Sequence, residues 1–218
     1  YSRVLEEGKF TPEGLRGFDL KGKTIGVVGT GNIGANAVKI AHGFDMKIIA
    51  FDIKKNEELE KKFDIEYVEF DELLSQSDII SLHAPYNKHT HHMINADNIE
   101  KIKKGAYLIN TARGGLIETK ALVLGLEKGI LAGAGLDVLE EEGNMVDDTE
   151  LIFGEHPNPE SLRILLANQY LIDHPQVLIT PHNAFNTKEA IERIIDTTIE
   201  NIQAFKKGAP INVINNNK

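Results

Sequence analysis

Several short stretches carry residues whose type and setting suit chemistry. Gly29-Thr30-Gly31-Asn32-Ile33-Gly34 is a glycine turn in which the glycines have separate tasks: a tight bend, close approach of backbone to a pyrophosphate, and close packing of helix on strand. Phosphates would sit at the following helix N-terminus, where unpaired N–H groups and the helix dipole favour negative charge. Asp52, 18 positions beyond Gly34, is placed to accept hydrogen bonds from an adenosine ribose. Farther along come His83-Ala84-Pro85, Thr111-Ala112-Arg113, Asp137 followed by Glu142, and Pro181-His182. A cation, an acid and a histidine on one edge can hold a carboxylate, orient an imidazole and move a proton. His89, His91 and His92 also cluster, but no acid or cysteine stands at ligand spacing from them, so they are not read as a metal site.

These residues need a scaffold that brings them to one edge. Ile25, Val27 and Val28 form a short run before the glycine turn, apolar residues resume at Ile33, Ala37, Ile40, Ala41 and Phe44, and a second run from Lys47 to Phe51 ends at Asp52. That is strand, turn, helix, strand. The pattern continues with a solvated helix over 54–62, a strand over 65–68, a short helix over 70–75 and a buried strand over 78–83. A helix is expected over 95–104, stopped by Gly105, and then a strand over 106–110. Thr119 is placed to cap a helix through Lys128 that Gly129 ends; a strand lies within 130–138, a short helix over 161–171 and a strand over 176–180. The last helix carries Ile191, Ile194, Ile195, Ile199, Ile202 and Phe205 on one stripe. Such alternation points to a parallel α/β sheet, where ligands bind outside the carboxyl ends of the strands. Each candidate stretch follows a predicted strand.

Two regions fall outside this pattern. Residues 1–22 read as a linker punctuated by Gly8, Pro12, Gly14, Gly17 and Gly22, with Val4, Leu5 and Phe10 as the end of an earlier helix. From Glu140 to Glu160 the chain carries Glu140, Glu141, Glu142, Asp147, Asp148, Glu150, Glu155 and Glu160, which for most of these carboxylates reads as a solvated loop. The net charge of −9 argues against a general nucleic-acid binder. With no cysteine there is neither a disulfide framework nor thiolate chemistry, which permits a reducing cytoplasm. No stretch approaches the ~18 consecutive apolar residues of a membrane helix, so no membrane partner is expected. The chain opens on Tyr1, so an upstream part is expected to have been removed or omitted.

Taken together, GTGNIG with Asp52, SLHAPYNKHTHHMI, GAYLINTARGGLIETKAL, GAGLDVLEEE and ITPHNAF resemble, in that order over residues 20–207, the NAD-binding domain of the D-isomer-specific 2-hydroxyacid dehydrogenases. HNAFNT and the long segment between Glu142 and His182 look most like the D-lactate dehydrogenase branch. The resemblance implies a Rossmann-type, doubly wound parallel α/β sheet, NAD as cofactor, a small-molecule 2-oxo acid as substrate, a homodimer and a cytoplasmic location. It implies that Arg113 binds the substrate carboxylate and polarises the 2-oxo group, and that His182 is the acid and base as hydride passes from the nicotinamide. Glu142 would hydrogen-bond the imidazole; Glu140 and Glu141 compete for that role, and the family's DV-x-E-x-E register selects Glu142. The implied cofactor contacts are Gly29, Gly31, Asn32, Ile33, Gly34, Asp52, His83, Ala84, Pro85, Thr111, Ala112 and Asp137. Asp137 would reach the nicotinamide carboxamide, or else serve as a helix or turn cap. Asp52 favours NAD because a carboxylate repels a 2′-phosphate, while Lys54 and Lys55 offer NADP a partial rescue.

The expected organisation is a linker over 1–22, an NAD-binding domain over 23–207 and a tail over 208–218. Most of the family's substrate-binding domain, formed by the N-terminal region and the C-terminal end, has no counterpart here. The chain is therefore expected to bind NAD and not to turn over by itself. Leu139 stands where the lactate branch usually has an aromatic residue, and 40 positions separate Glu142 from His182, which leaves the substrate open. The alternative is a non-catalytic, NAD-sensing interaction protein of corepressor type with the same fold. A methyltransferase of this fold would leave Arg113, Glu142 and His182 without a task.

Overall fold

The structure, a computed structural model, describes residues 8, 10–13, 16–144 and 159–213. Expectations for Val4, Leu5 and Gly14, and for Asp147, Asp148, Glu150 and Glu155, lie outside the described residues. The elements run β1 (Thr24–Val28), α1 (Asn32–Gly43), β2 (Lys47–Phe51), α2 (Glu57–Phe63), β3 (Glu66–Tyr67), α3 (Phe70–Gln76), β4 (Ile79–Leu82) and β5 (Ala106–Asn110). They continue with α4 (Thr119–Glu127), β6 (Leu131–Leu136), α5 (Pro159–Asp173), β7 (Val177–Ile179) and α6 (Lys188–Lys206). All strand pairs are parallel, in the order β3-β2-β1-β4-β5-β6-β7. This is the doubly wound arrangement, and the strand order reverses between β1 and β4, where such sheets form their ligand crevice.

A parallel sheet is covered on both faces, so its central strands read as apolar runs rather than as alternation. Val27, Val28, Ile80, Leu82 and Leu108 are buried accordingly. One core cluster joins β1 and β2 to α1 and α2 through Ile25, Val27, Val38, Ala41, Ile48 and Leu59; a larger one runs under β4, β5 and β6. Each fully buried aliphatic side chain there stabilises the fold by about 1.5–3 kcal/mol.

The structure corrects three local readings. In α1 the buried residues are Gly34, Val38 and Ala41, whereas Ile33, Ile40 and Phe44 are exposed. Gly34 packs directly on Gly29, and this sets the face bearing Gly34, Val38 and Ala41, rather than the larger Ile33, Ile40 and Phe44, against the sheet. Residues 95–104 form only a 3-10 turn, Ile99–Lys101. Asn98 Oδ1 accepts the Asn95 N–H, Asn95 Oδ1 accepts the Asp97 N–H, and both Asn amides donate to main-chain oxygens of Met93 and His92. These local bonds compete with a helical ladder. Thr119 is the first residue of α4 rather than its cap, and Gly129 ends that helix at φ +62° as expected. On α6 the apolar stripe forms as predicted, yet none of its described residues is buried.

Candidate active site

The glycine turn joins β1 to α1 under tight packing. Gly29 has φ +90°, and a Cβ there would lie 2.8 Å from the Ala84 nitrogen. A Cβ on Gly34 would lie 1.9 Å from the Gly29 oxygen, so neither position admits a side chain. Gly31 caps α1 without a side-chain hydrogen bond, and the first turn of the helix carries no acid. The positive end of the helix is therefore open to an anion.

Asp52 closes the same crevice from the end of β2. Its Oδ2 accepts the Thr30 N–H at 2.6 Å and the Thr30 hydroxyl at 3.0 Å, and its Oδ1 accepts the Lys54 N–H at 2.9 Å. Burial alone would raise its pKa, but hydrogen bonds from Lys54, Thr30 and Ile53 outweigh that and hold it below the usual carboxylate value. The Tyr67 hydroxyl donates to Thr30 Oγ1 at 2.9 Å and accepts the Asn56 N–H at 2.9 Å, which fixes the turn from behind. Thr30 and Tyr67 were not singled out in the sequence; Thr30 could have been found by its place inside the glycine turn, while Tyr67 carries no such signal. The resulting cleft, about 470 Å³, is lined by Thr30, Gly31, Asp52, Lys54, Lys55 and Asn56. His83 follows β4, with Nε2 2.9 Å from Ser81 Oγ and its buried Nδ1 without a partner among the described residues. Burial lowers its pKa, which favours the neutral ring. An open helix N-terminus, an ionised acid across the crevice and an orphaned buried nitrogen fit a dinucleotide. Asn32, Ile33, Pro85 and Thr111 are exposed, Ala84 is buried and Ala112 packs on the core.

The remaining candidates stand at the ends of β5, β6 and β7, three neighbouring strands. Arg113 is exposed just beyond β5, its Nη1 donating to the Ala112 oxygen at 2.6 Å. Buried Asn110 shapes this turn, accepting from the Ala112 N–H and donating to the Arg113 oxygen. Beyond β6, Glu142 Oε1 lies 2.6 Å from His182 Nδ1, with both side chains about 40% exposed. The pair lines a second cleft of about 410 Å³ with Asp137, Leu139 and Thr180.

Asp137 builds the turn that carries His182. Its Oδ1 accepts the Thr180 hydroxyl at 2.5 Å and the Asn183 N–H at 2.8 Å, its Oδ2 accepts the Ala184 N–H at 2.9 Å, and its main-chain oxygen accepts the His182 N–H at 2.8 Å. Burial would raise its pKa; bonds from Thr180, Ala184 and Asn183 outweigh that and lower it. This is the turn-cap reading of Asp137, and it holds His182 at φ +48°, a conformation few non-glycine residues adopt. The acidic stretch is not uniformly solvated either. Glu140 is largely buried, bonded to Thr119 and His92. His91 stacks on His92 with ring centroids 3.7 Å apart.

The family model described as D-isomer specific 2-hydroxyacid dehydrogenase, NAD binding domain, matches residues 1–184. The chain is 44% identical over 205 residues to 2-hydroxyacid dehydrogenase A of Aspergillus oryzae, covering 94% of this chain and 56% of that one. A structure described as the pyruvate reductase of Chlamydomonas reinhardtii superposes with a TM-score of 0.83 at 42% identity, over 96% of this chain and 61% of that one. D-lactate dehydrogenase from Aquifex aeolicus, complexed with NAD and lactic acid, gives a TM-score of 0.85 at 38% identity, over 95% and 60%. The chain thus spans less than two thirds of the length of each of these relatives.

Proposed function

The chain belongs to the D-isomer-specific 2-hydroxyacid dehydrogenases, as their NAD-binding domain, and from this premise we propose that the whole protein interconverts a D-2-hydroxy acid and its 2-oxo acid. NAD is the cofactor, and when bound it carries the hydride. The open N-terminus of α1 would hold its pyrophosphate, and Asp52 would take the adenosine ribose through Oδ1, which accepts one N–H, from Lys54, where Oδ2 accepts two bonds from Thr30. The single observation that carries the catalytic reading is the 2.6 Å contact between Glu142 and the Nδ1 of His182. With Nδ1 held by an acid, the other ring nitrogen, Nε2, is the one available to exchange a proton with the substrate oxygen. Arg113 would bind the substrate carboxylate, because a planar guanidinium can grip it with two parallel bonds and still polarise the neighbouring carbonyl.

Pyruvate and D-lactate are the first pair to test, since solved relatives carry those descriptions. The domain organisation is part of the same proposal: 23–207 form the nucleotide unit, and the region by which the relatives are longer supplies the other wall of the cleft and covers the apolar face of α6. So are the homodimer and the cytoplasmic location. The comparisons lend no support to the non-catalytic alternative. A panel of 2-oxo acids offered to the full-length gene product with NADH or NADPH tests the proposal. NADH-dependent reduction of at least one, with NADPH inferior, is expected; no reduction of any, or a preference for NADPH, would contradict it.

A further inference from the structure

Glu140 has no place in the catalytic set, yet its side chain is far more deeply buried than that of Glu142, 10% exposed against 39%. Its carboxylate joins separate pieces of chain. Oε2 accepts the Thr119 N–H at 3.0 Å and the Thr119 hydroxyl at 2.7 Å, and Oε1 lies 2.5 Å from His92 Nε2. The cap residue of α4, Glu118, makes no side-chain capping bond, so Glu140 satisfies that helix end from outside. His92 is itself held, its N–H donating to the Gly115 oxygen at 2.8 Å. The main-chain oxygen of Glu140 accepts from Asn168 of α5 at 2.8 Å.

This anchor sits where the two turns of the hydride-transfer site touch. A Cβ on Gly114, the residue after Arg113, would lie 2.0 Å from the Leu139 oxygen and 2.5 Å from the Glu140 nitrogen. The two backbones are in direct contact. The space among Asn110, Gly114, Thr119, Leu139 and Glu140 is about 10 Å³, at the lower limit for a water, so the carboxylate is bound by protein groups. Only Glu141, at φ +54°, separates the anchor from Glu142, which is exposed and opens a short 3-10 turn.

We propose that Glu140 is a positioning residue: by tying the turn after β6 to Thr119 and His92, it sets where Glu142 meets His182 and where that pair stands relative to Arg113. A long carboxylate reaching both α4 and the 85–95 loop locks the turn in a way that its main-chain bonds, each to one element, do not. The claim rests on the catalytic roles given above to Glu142 and His182. It deepens them by naming what holds the pair.

The test compares the full-length gene product carrying Glu140→Ala, Glu140→Gln, Thr119→Val or His182→Ala, with NADH and the best 2-oxo acid of the panel. Glu140→Ala is expected to lower kcat about 10- to 100-fold, as loss of alignment by about an ångström does, with KM for the 2-oxo acid and Kd for NADH within about twofold of wild type. Glu140→Gln keeps an acceptor for Thr119 and meets His92 with an amide N–H, which donates to Nε2 once the ring takes the tautomer protonated on Nδ1, and recovers most of the rate. Thr119→Val, which removes one bond at nearly constant shape, gives a smaller loss of kcat and serves if Glu140→Ala does not fold. A wild-type kcat in folded Glu140→Ala or, failing that, in Thr119→Val overturns the proposal while an inactive His182→Ala leaves the catalytic reading standing. Full activity of His182→Ala would overturn both.

Discussion

Asp137 and Asp52 both serve by holding backbone. Asp137 uses both carboxylate oxygens and its main-chain oxygen to fold 180–184 into the turn that bears His182, and Asp52 uses one oxygen to fasten Thr30. Because the native pKa of Asp137 is lowered, its contribution to stability is present above the unfolded value, near 3.8, and is lost as pH falls through the native one. Asp137→Asn should therefore lower stability at neutral pH by roughly 1.5–3 kcal/mol, the scale of a hydrogen bond to a charged group. Thermal melts of the two proteins should differ most above about pH 4 and converge below it. A gap that stays constant down to pH 3 would show that the charge of Asp137 contributes nothing to the turn.

At the scale of elements, the strands and the glycine turn were legible because parallel strands are apolar on both faces and end abruptly in glycine or polar residues. The failures have local causes. Residues 95–104 have helical spacing, but Asn95 and Asn98 spend their side chains on nearby main chain, a competition that periodicity does not reveal. Glu140 lies in an acidic run, and only the fold shows that one carboxylate of that run turns inward to Thr119 and His92. Arg113, Glu142 and His182 could be placed at strand ends, but the buried Asn110 and the exposed Thr180 that shape their turns gave no sequence signal. On α6 the periodic stripe was read correctly, whereas its partner is not among the described residues, and Ile195 remains 52% exposed. If the longer region of the full-length protein covers this face, Ile195→Glu should lower the melting temperature of the full-length gene product and leave that of the present chain unchanged. Equal effects in both, or none in either, would place that region elsewhere.

For the molecule as a whole, the reversal of strand order between β1 and β4 divides the labour along one edge of the sheet. On one side β1 and β2 present the glycine turn and Asp52, the proposed nucleotide site; on the other β5, β6 and β7 present Arg113, Glu142 and His182 on turns braced by Asn110, Asp137 and Glu140. In the proposed function, binding and proton transfer are carried by separate groups, and a change in one should spare the other. The most direct measurement is NADH affinity together with turnover for His182→Ala in the full-length gene product. The account predicts a Kd for NADH within about twofold of wild type and a kcat about 10²- to 10⁴-fold lower, the usual contribution of a positioned acid and base. Turnover at the wild-type rate would contradict it.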